Sequence, residues 1–70
     1  MELTLYQVIA ILNQLETKDK KFYRVGDKDF KIFKGSYGDL MYKIDNSTNN
    51  SIRPLPLFYY MQDKWLMCDE

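Results

Sequence analysis

The chain has 70 residues, with ten basic and ten acidic side chains, no His and one Cys. This length allows one small domain, residues 1–70. The single Cys excludes an intrachain disulfide and a Cys/His zinc site, and the missing imidazole excludes mechanisms in which His is the catalytic base.

The N-terminal segment has the pattern of a capped amphipathic helix. Thr4 and Gln7 are spaced as in a capping box, and Leu3 and Val8 occupy the two positions of a hydrophobic staple. Apolar residues then recur at helical spacing. The apolar stripe consists of Leu5, Val8, Ile9, Leu12 and Leu15. The sequence therefore predicts a helix over about residues 4–16.

The central part of the chain has the composition of strands separated by turns. Residues 22–25, 30–34 and 40–44 are rich in aromatic and aliphatic side chains. Gly-containing turn signals separate them, at residues 26–29 and 35–39. Two successive hairpins predict an antiparallel meander.

Strand side chains alternate between the two faces of a sheet. Phe30 and Ile32 are therefore expected on one face and Phe33 on the other. One face can meet the helix, while the other is only partly polar, and we expect something to cover it.

The C-terminal third begins with a polar loop, residues 45–51, which we interpret as a hairpin tip. Pro54 and Pro56 each push the residue before them out of the helical region, so residues 52–56 are expected to be extended. Pro56 suits the first position of a short helical turn, residues 57–61. Residues 64–68 form a predicted closing strand. The predicted fold is α+β, with the N-terminal amphipathic helix packed on a small antiparallel sheet of three to four strands.

Aromatic and Met side chains are concentrated near the C-terminus. They are favoured both in hydrophobic cores and at interfaces. We expect most of them in the core, with Tyr59 or Tyr60 exposed. The expected core residues here are Leu57, Phe58, Met61 and Trp65.

Paired carboxylates suggest a metal or hydrolytic site only weakly. Asp27 and Asp29 flank a turn, where Asp forms local hydrogen bonds. Asp69 and Glu70 suggest a frayed acidic end. No metal or other cofactor is expected.

Between residues 18 and 34, seven basic residues stand against three acidic ones, with aromatic residues interleaved. This pattern is typical of an amphipathic hairpin with Lys in solvent, of a phosphate-bearing ligand site, or of a protein-binding surface. In a ligand site, Arg24, Lys31 and Lys34 would bind phosphates while Tyr23 or Phe33 stacks on a base. Single-stranded nucleic acid is a further alternative, whereas the zero net charge disfavours duplex DNA.

The order of parts resembles that of short phage-encoded proteins of unknown function. The matching pieces are the helix of residues 5–15, Lys-Phe-Tyr-Arg at residues 21–24, and the segment 57–65 that ends in Asp-Lys-Trp. Those proteins usually carry paired basic residues and a Trp after the first strand, where this chain has Val25 and Gly26. Some are similar to anti-defence proteins that sequester a cyclic nucleotide as a homo-oligomer, so the resemblance implies a nucleotide ligand and self-association as alternatives.

The leading hypothesis is a small non-catalytic binding protein, phage-encoded, that inhibits a host protein by occupying its surface. With no apolar run near the roughly 20 residues that span a bilayer, and no signal-peptide pattern, we expect it in the host cytoplasm without membrane contact. The candidate binding residues are Tyr23, Arg24, Lys31, Phe33, Lys34, Tyr59 and Tyr60.

Overall fold

The computed structural model describes residues 1–45 and 51–68, which form one six-stranded antiparallel sheet and two helices. The elements in chain order are β1 (Leu3–Thr4), α1 (Leu5–Leu12), β2 (Phe22–Arg24), β3 (Asp27–Lys34), β4 (Leu40–Ile44), β5 (Arg53–Pro54), α2 (Leu57–Tyr60) and β6 (Lys64–Met67). The predicted loop tip lies mainly outside the described residues, as do Asp69 and Glu70.

The sheet has the order β1-β6-β2-β3-β4-β5. Strands β2 to β5 form a meander, and its first two hairpins are the predicted ones. The closing strand β6 returns across the sheet and inserts between β1 and β2, antiparallel to both. Strand β6 therefore joins the N-terminal strand β1 to the meander, so that all six strands form one sheet.

The α+β class is confirmed, but the prediction of three to four strands is wrong. The two unpredicted strands, β1 and β5, have two residues each and lie at the sheet edges. Two residues are too few to leave an alternating pattern in a sequence. Pro54 is tolerated in β5 because an edge strand does not need every backbone N–H for pairing.

The start of α1 is as predicted. The Gln7 backbone N–H donates to Thr4 Oγ1 at 3.2 Å, and the Thr4 N–H donates to Gln7 Oε1 at 2.8 Å. These bonds satisfy two backbone donors that the first turn leaves without partners.

The predicted helix end at residue 16 is wrong, because α1 ends at Leu12. The Asn13 N–H donates back to the carbonyls of Ile9 and Ala10. The Ile11 carbonyl accepts hydrogen bonds from both the Gln14 N–H and the Thr17 hydroxyl, so the last turn of the helix has partners outside the helix. Leu15 lies in the irregular turns that follow and is 84% exposed, so it is not part of the apolar stripe.

The hydrophobic core lies between α1 and one face of the sheet, here called the core face. Its buried members are Leu5, Val8, Leu12, Phe22, Phe30, Ile32, Leu55 and Trp65. Phe30 stacks on Tyr42 with ring centroids 5.1 Å apart and also contacts Tyr60 and Trp65. Aromatic rings thus supply much of the buried area that a small domain needs.

The core assignment near the C-terminus is right for Trp65 but wrong for the residues of the helical turn. Phe58 is 90% exposed, and Leu57 and Met61 are also exposed. A helix of one turn can direct only one side towards the core. In α2 Tyr60 occupies that side, so the other side chains of the turn remain exposed. Tyr59 is exposed, as predicted.

Neither helix in the described part of the chain has the length and apolar character that crossing a bilayer requires.

Candidate binding surface on the outer face of the sheet

The face of the sheet opposite the core, here called the outer face, is fixed by strand register. Phe22 pairs with Ile32, and both are fully buried on the core face. The neighbouring pair, Tyr23 and Lys31, must therefore lie on the outer face. The described helices pack on the core face only, so they leave the outer face uncovered.

A cationic hollow of about 220 Å³, here called the lysine hollow, lies on the outer face. It is lined by Lys21, Lys31, Lys43, Asp45 and Cys68. Lys31 Nζ donates a hydrogen bond to Asp45 Oδ2. This bond is the main cause that lowers the pKa of Asp45; desolvation opposes it, and the charges of Lys31, Lys43 and Lys21 reinforce it. All three ammonium groups therefore act on the same small volume.

A second cavity of about 290 Å³, here called the apolar hollow, opens beside β4 and β5. It is lined by Phe33, Gly35, Ser36, Tyr37, Asp39, Met41, Ile52 and Pro54. A Cβ at Gly35 would lie 2.7 Å from Met41 Cγ, so glycine allows Met41 to lie against the turn backbone. The turn closes through the Gly35 N–H, which donates to the Asp39 carbonyl at 2.7 Å.

The two hollows are adjacent along the same pair of strands. Phe33 faces Met41 across β3 and β4, and Lys31 faces Lys43 two residues further along. Two residues of strand span about 7 Å. Lys21 connects the two hollows, since its Nζ lies 5.9 Å from the centroid of the Phe33 ring. The outer face thus presents an apolar site directly beside a positively charged one.

Of the predicted binding residues, Tyr23, Lys31 and Phe33 lie together on the outer face. The other two members of the predicted phosphate set lie elsewhere. Lys34 pairs with Leu40 and lies beside the end of α1, on the core side. The side chains of Arg24, Lys31 and Lys34 therefore do not lie together at one site.

Arg24 belongs to a structural cluster at the sheet margin. The strand register shifts between Tyr23 and Arg24. The Arg24 guanidinium lies over the rings of Phe30 and Tyr60, at 5.9 and 5.6 Å, and its Nε is 3.1 Å from Asp63 Oδ2. Tyr60 is thus half-buried in this cluster, whereas Tyr59 remains in solvent.

Sequence reasoning missed Lys21, Lys43 and Met41 as members of the outer-face site. A signal for the last two existed in the predicted second hairpin. Pairing that strand symmetrically about the turn at residues 35–39 places residue 41 opposite 33 and residue 43 opposite 31. Register arithmetic on that hairpin therefore identifies both residues.

Asp27 has the local turn role that was predicted, because its carboxylate accepts a hydrogen bond from the Asp29 N–H at 3.2 Å. Within the described residues, no three Cys, Asp or Glu side chains are grouped so that they hold a metal ion.

The chain matches no protein-family model, no curated protein and no solved structure.

Proposed function

We propose that the protein is a non-catalytic binding protein that inhibits a partner protein by occupying its surface through the outer face. The observation that carries this proposal is the apolar hollow, which lies beside three lysines on a face that the described helices leave uncovered. On the resemblance to short phage-encoded proteins, the partner is a host protein.

Energetics support a partner at the apolar hollow. Burial of apolar surface is worth about 25 cal/mol per Å², and a small domain has little such surface to spare. Ile52 is nevertheless 54% exposed and Tyr37 96% exposed at the rim of the hollow. A partner side chain in the hollow recovers burial that the isolated domain does not achieve.

The distribution of residue types matches the anatomy of a protein interface. Interface centres are enriched in aromatic residues and Met, whereas Lys is depleted there and suits the rim. Phe33 and Met41 face each other on the outer face near the β3–β4 turn and line the apolar hollow, with Lys31 and Lys43 beside them. The complementary partner surface therefore carries an apolar side chain flanked by carboxylates.

The non-catalytic part of the proposal rests on composition, because a chain with no His and one Cys lacks the usual nucleophile–base pairs.

The test is capture from a bacterial host lysate with the immobilised protein, followed by an activity measurement on the captured partner. Met41→Glu places a charge in the apolar hollow. Met61→Glu is the matched control, because Met61 is a solvent-exposed Met beside α2. We expect wild type and Met61→Glu to retain and inhibit the same partner, and Met41→Glu to lose it while keeping the wild-type circular dichroism spectrum.

Retention that is equal for wild type and Met41→Glu contradicts the proposal, as does the absence of any inhibited partner. Light scattering addresses self-association. A dimer that Met41→Glu dissociates would show that a second copy of this chain occupies the hollow, and the proposal would then be wrong.

A further inference from the structure

Two like charges face each other directly on the outer face. Lys31 and Lys43 are Cα partners in the β3–β4 ladder. Directly opposed residues in an antiparallel pair have Cβ atoms about 4.5–5.5 Å apart, and like charges in this position destabilise a sheet. The arrangement therefore has a cost that the fold by itself does not require.

The described residues compensate this charge only in part. Asp45 forms the ion pair with Lys31, but no carboxylate of the described residues pairs with Lys43 or Lys21. Lys21 lies instead over the ring of Phe33. Among the described residues, the hollow is therefore lined by three ammonium groups and one carboxylate, an excess of positive charge around about 220 Å³ of space.

We infer that the lysine hollow is a binding site for a phosphoryl group. A phosphate monoester carries about two negative charges and pyrophosphate carries more, and lysine ammonium groups bind phosphate as point charges. The hollow has the volume of several water molecules, at about 30 Å³ each, which is enough for such a group. A bound dianion removes the repulsion between Lys31 and Lys43, and thereby stabilises the fold.

This site differs from the phosphate set that the sequence suggested. It contains Lys31 but replaces Arg24 and Lys34, which lie on the core side, with Lys21 and Lys43. The inference does not depend on the proposed function, because a free anion tests it without any partner protein.

The test is thermal unfolding with sodium pyrophosphate, compared with sodium chloride at equal ionic strength. Lys43→Gln and Lys21→Gln remove ammonium groups from the hollow. Lys28→Gln is the matched control, because Lys28 is an exposed lysine at the other end of β3. Lys43→Gln removes a repulsive charge, so we expect it to fold at least as stably as wild type.

We expect pyrophosphate to raise the Tm of wild type and Lys28→Gln by several degrees, since a ligand that binds only the folded state stabilises it by mass action. Lys43→Gln and Lys21→Gln should lose most of this rise, and calorimetry should show at least tenfold weaker pyrophosphate binding. No rise in wild type overturns the inference. A rise in Tm for Lys43→Gln that equals the rise for wild type also overturns it. The same holds if Lys28→Gln loses as much of the rise as Lys43→Gln does.

Two further probes identify the source of the phosphoryl group. ADP represents a free nucleotide, and a phosphotyrosine peptide represents a modified partner protein. Tighter binding than pyrophosphate by either probe, lost in Lys43→Gln, supports the site and assigns its source. The unphosphorylated peptide and adenosine should not bind, and binding of either with equal affinity would overturn the assignment to a phosphoryl group.

Discussion

Arg24 Nε lies 3.1 Å from Asp63 Oδ2, and this ion pair joins β2 to the residue just before β6. The same guanidinium lies over two aromatic rings of the core cluster. Arg24, which the sequence predicts as a phosphate ligand, therefore has structural partners. Replacing it should lower the stability of the fold more than it weakens ligand binding.

Replacing Arg24 by Ala should lower the free energy of unfolding by about 1–2 kcal/mol, because both a partly exposed ion pair and cation–π contacts are lost. Urea unfolding followed by the fluorescence of Trp65 measures this change. Arg53→Ala is the control, since Arg53 is exposed on the edge strand β5, and it should cost less than about 0.5 kcal/mol. Equal costs for the two variants would show that the Arg24 cluster contributes nothing.

Leu12 and Leu15 form a matched pair, three residues apart but in opposite environments. Leu12 is 2% exposed and Leu15 is 84% exposed. Leu12→Ala should therefore cost about 2–5 kcal/mol and Leu15→Ala less than about 0.5 kcal/mol in the free energy of unfolding. If Leu15→Ala costs as much as Leu12→Ala, the helix continues beyond Asn13 and the apolar stripe includes residue 15.

The capping box at Thr4 should be worth about 1 kcal/mol. Thr4→Ala removes the oxygen that accepts the Gln7 N–H, while Thr4→Ser keeps it. Chemical unfolding of both variants should show the loss for Thr4→Ala alone. An equal loss in Thr4→Ser would assign the effect to the methyl group and not to the cap.

The Lys31–Asp45 pair predicts a pH dependence of stability. Because the hydrogen bond from Lys31 lowers the pKa of Asp45 below its ordinary value of 3.8 in the folded protein, the folded state favours the charged carboxylate. The resulting stability is present above that ordinary value and is lost as the pH falls through the lowered pKa. The pair is about one-third exposed, so the effect should be under about 1 kcal/mol.

Urea unfolding of wild type and Asp45→Asn from neutral pH to about pH 2 measures this dependence. The free energy of unfolding of wild type should fall more steeply below about pH 4 than that of the variant. Parallel curves would show that the pair does not contribute to folding.

Local sequence patterns determined the elements whose hydrogen bonds close within a few residues. Nearby side chains specify the backbone geometry of three such features. These are the Thr4–Gln7 cap, the turns at Gly26 and Gly38, and the hairpin ladders that flank those turns. Both glycines have positive φ, which other residues adopt only with strain. The alternation that separates Phe30 from Phe33 was equally readable, because it follows from the pleat alone.

Only the tertiary structure decided where β6 lies, where α1 ends and that Lys21 joins Lys31 and Lys43 at one site. The insertion of β6 between β1 and β2 joins residues that are distant in the sequence, and packing rather than local preference selects it. The exposure of Leu15 and Phe58 follows, because the interior holds only the side chains that α1, Leu55 and the core face can enclose. The lysine hollow likewise needed the register of three strands, since Lys21, Lys31 and Lys43 form one positive site only when β2, β3 and β4 lie side by side.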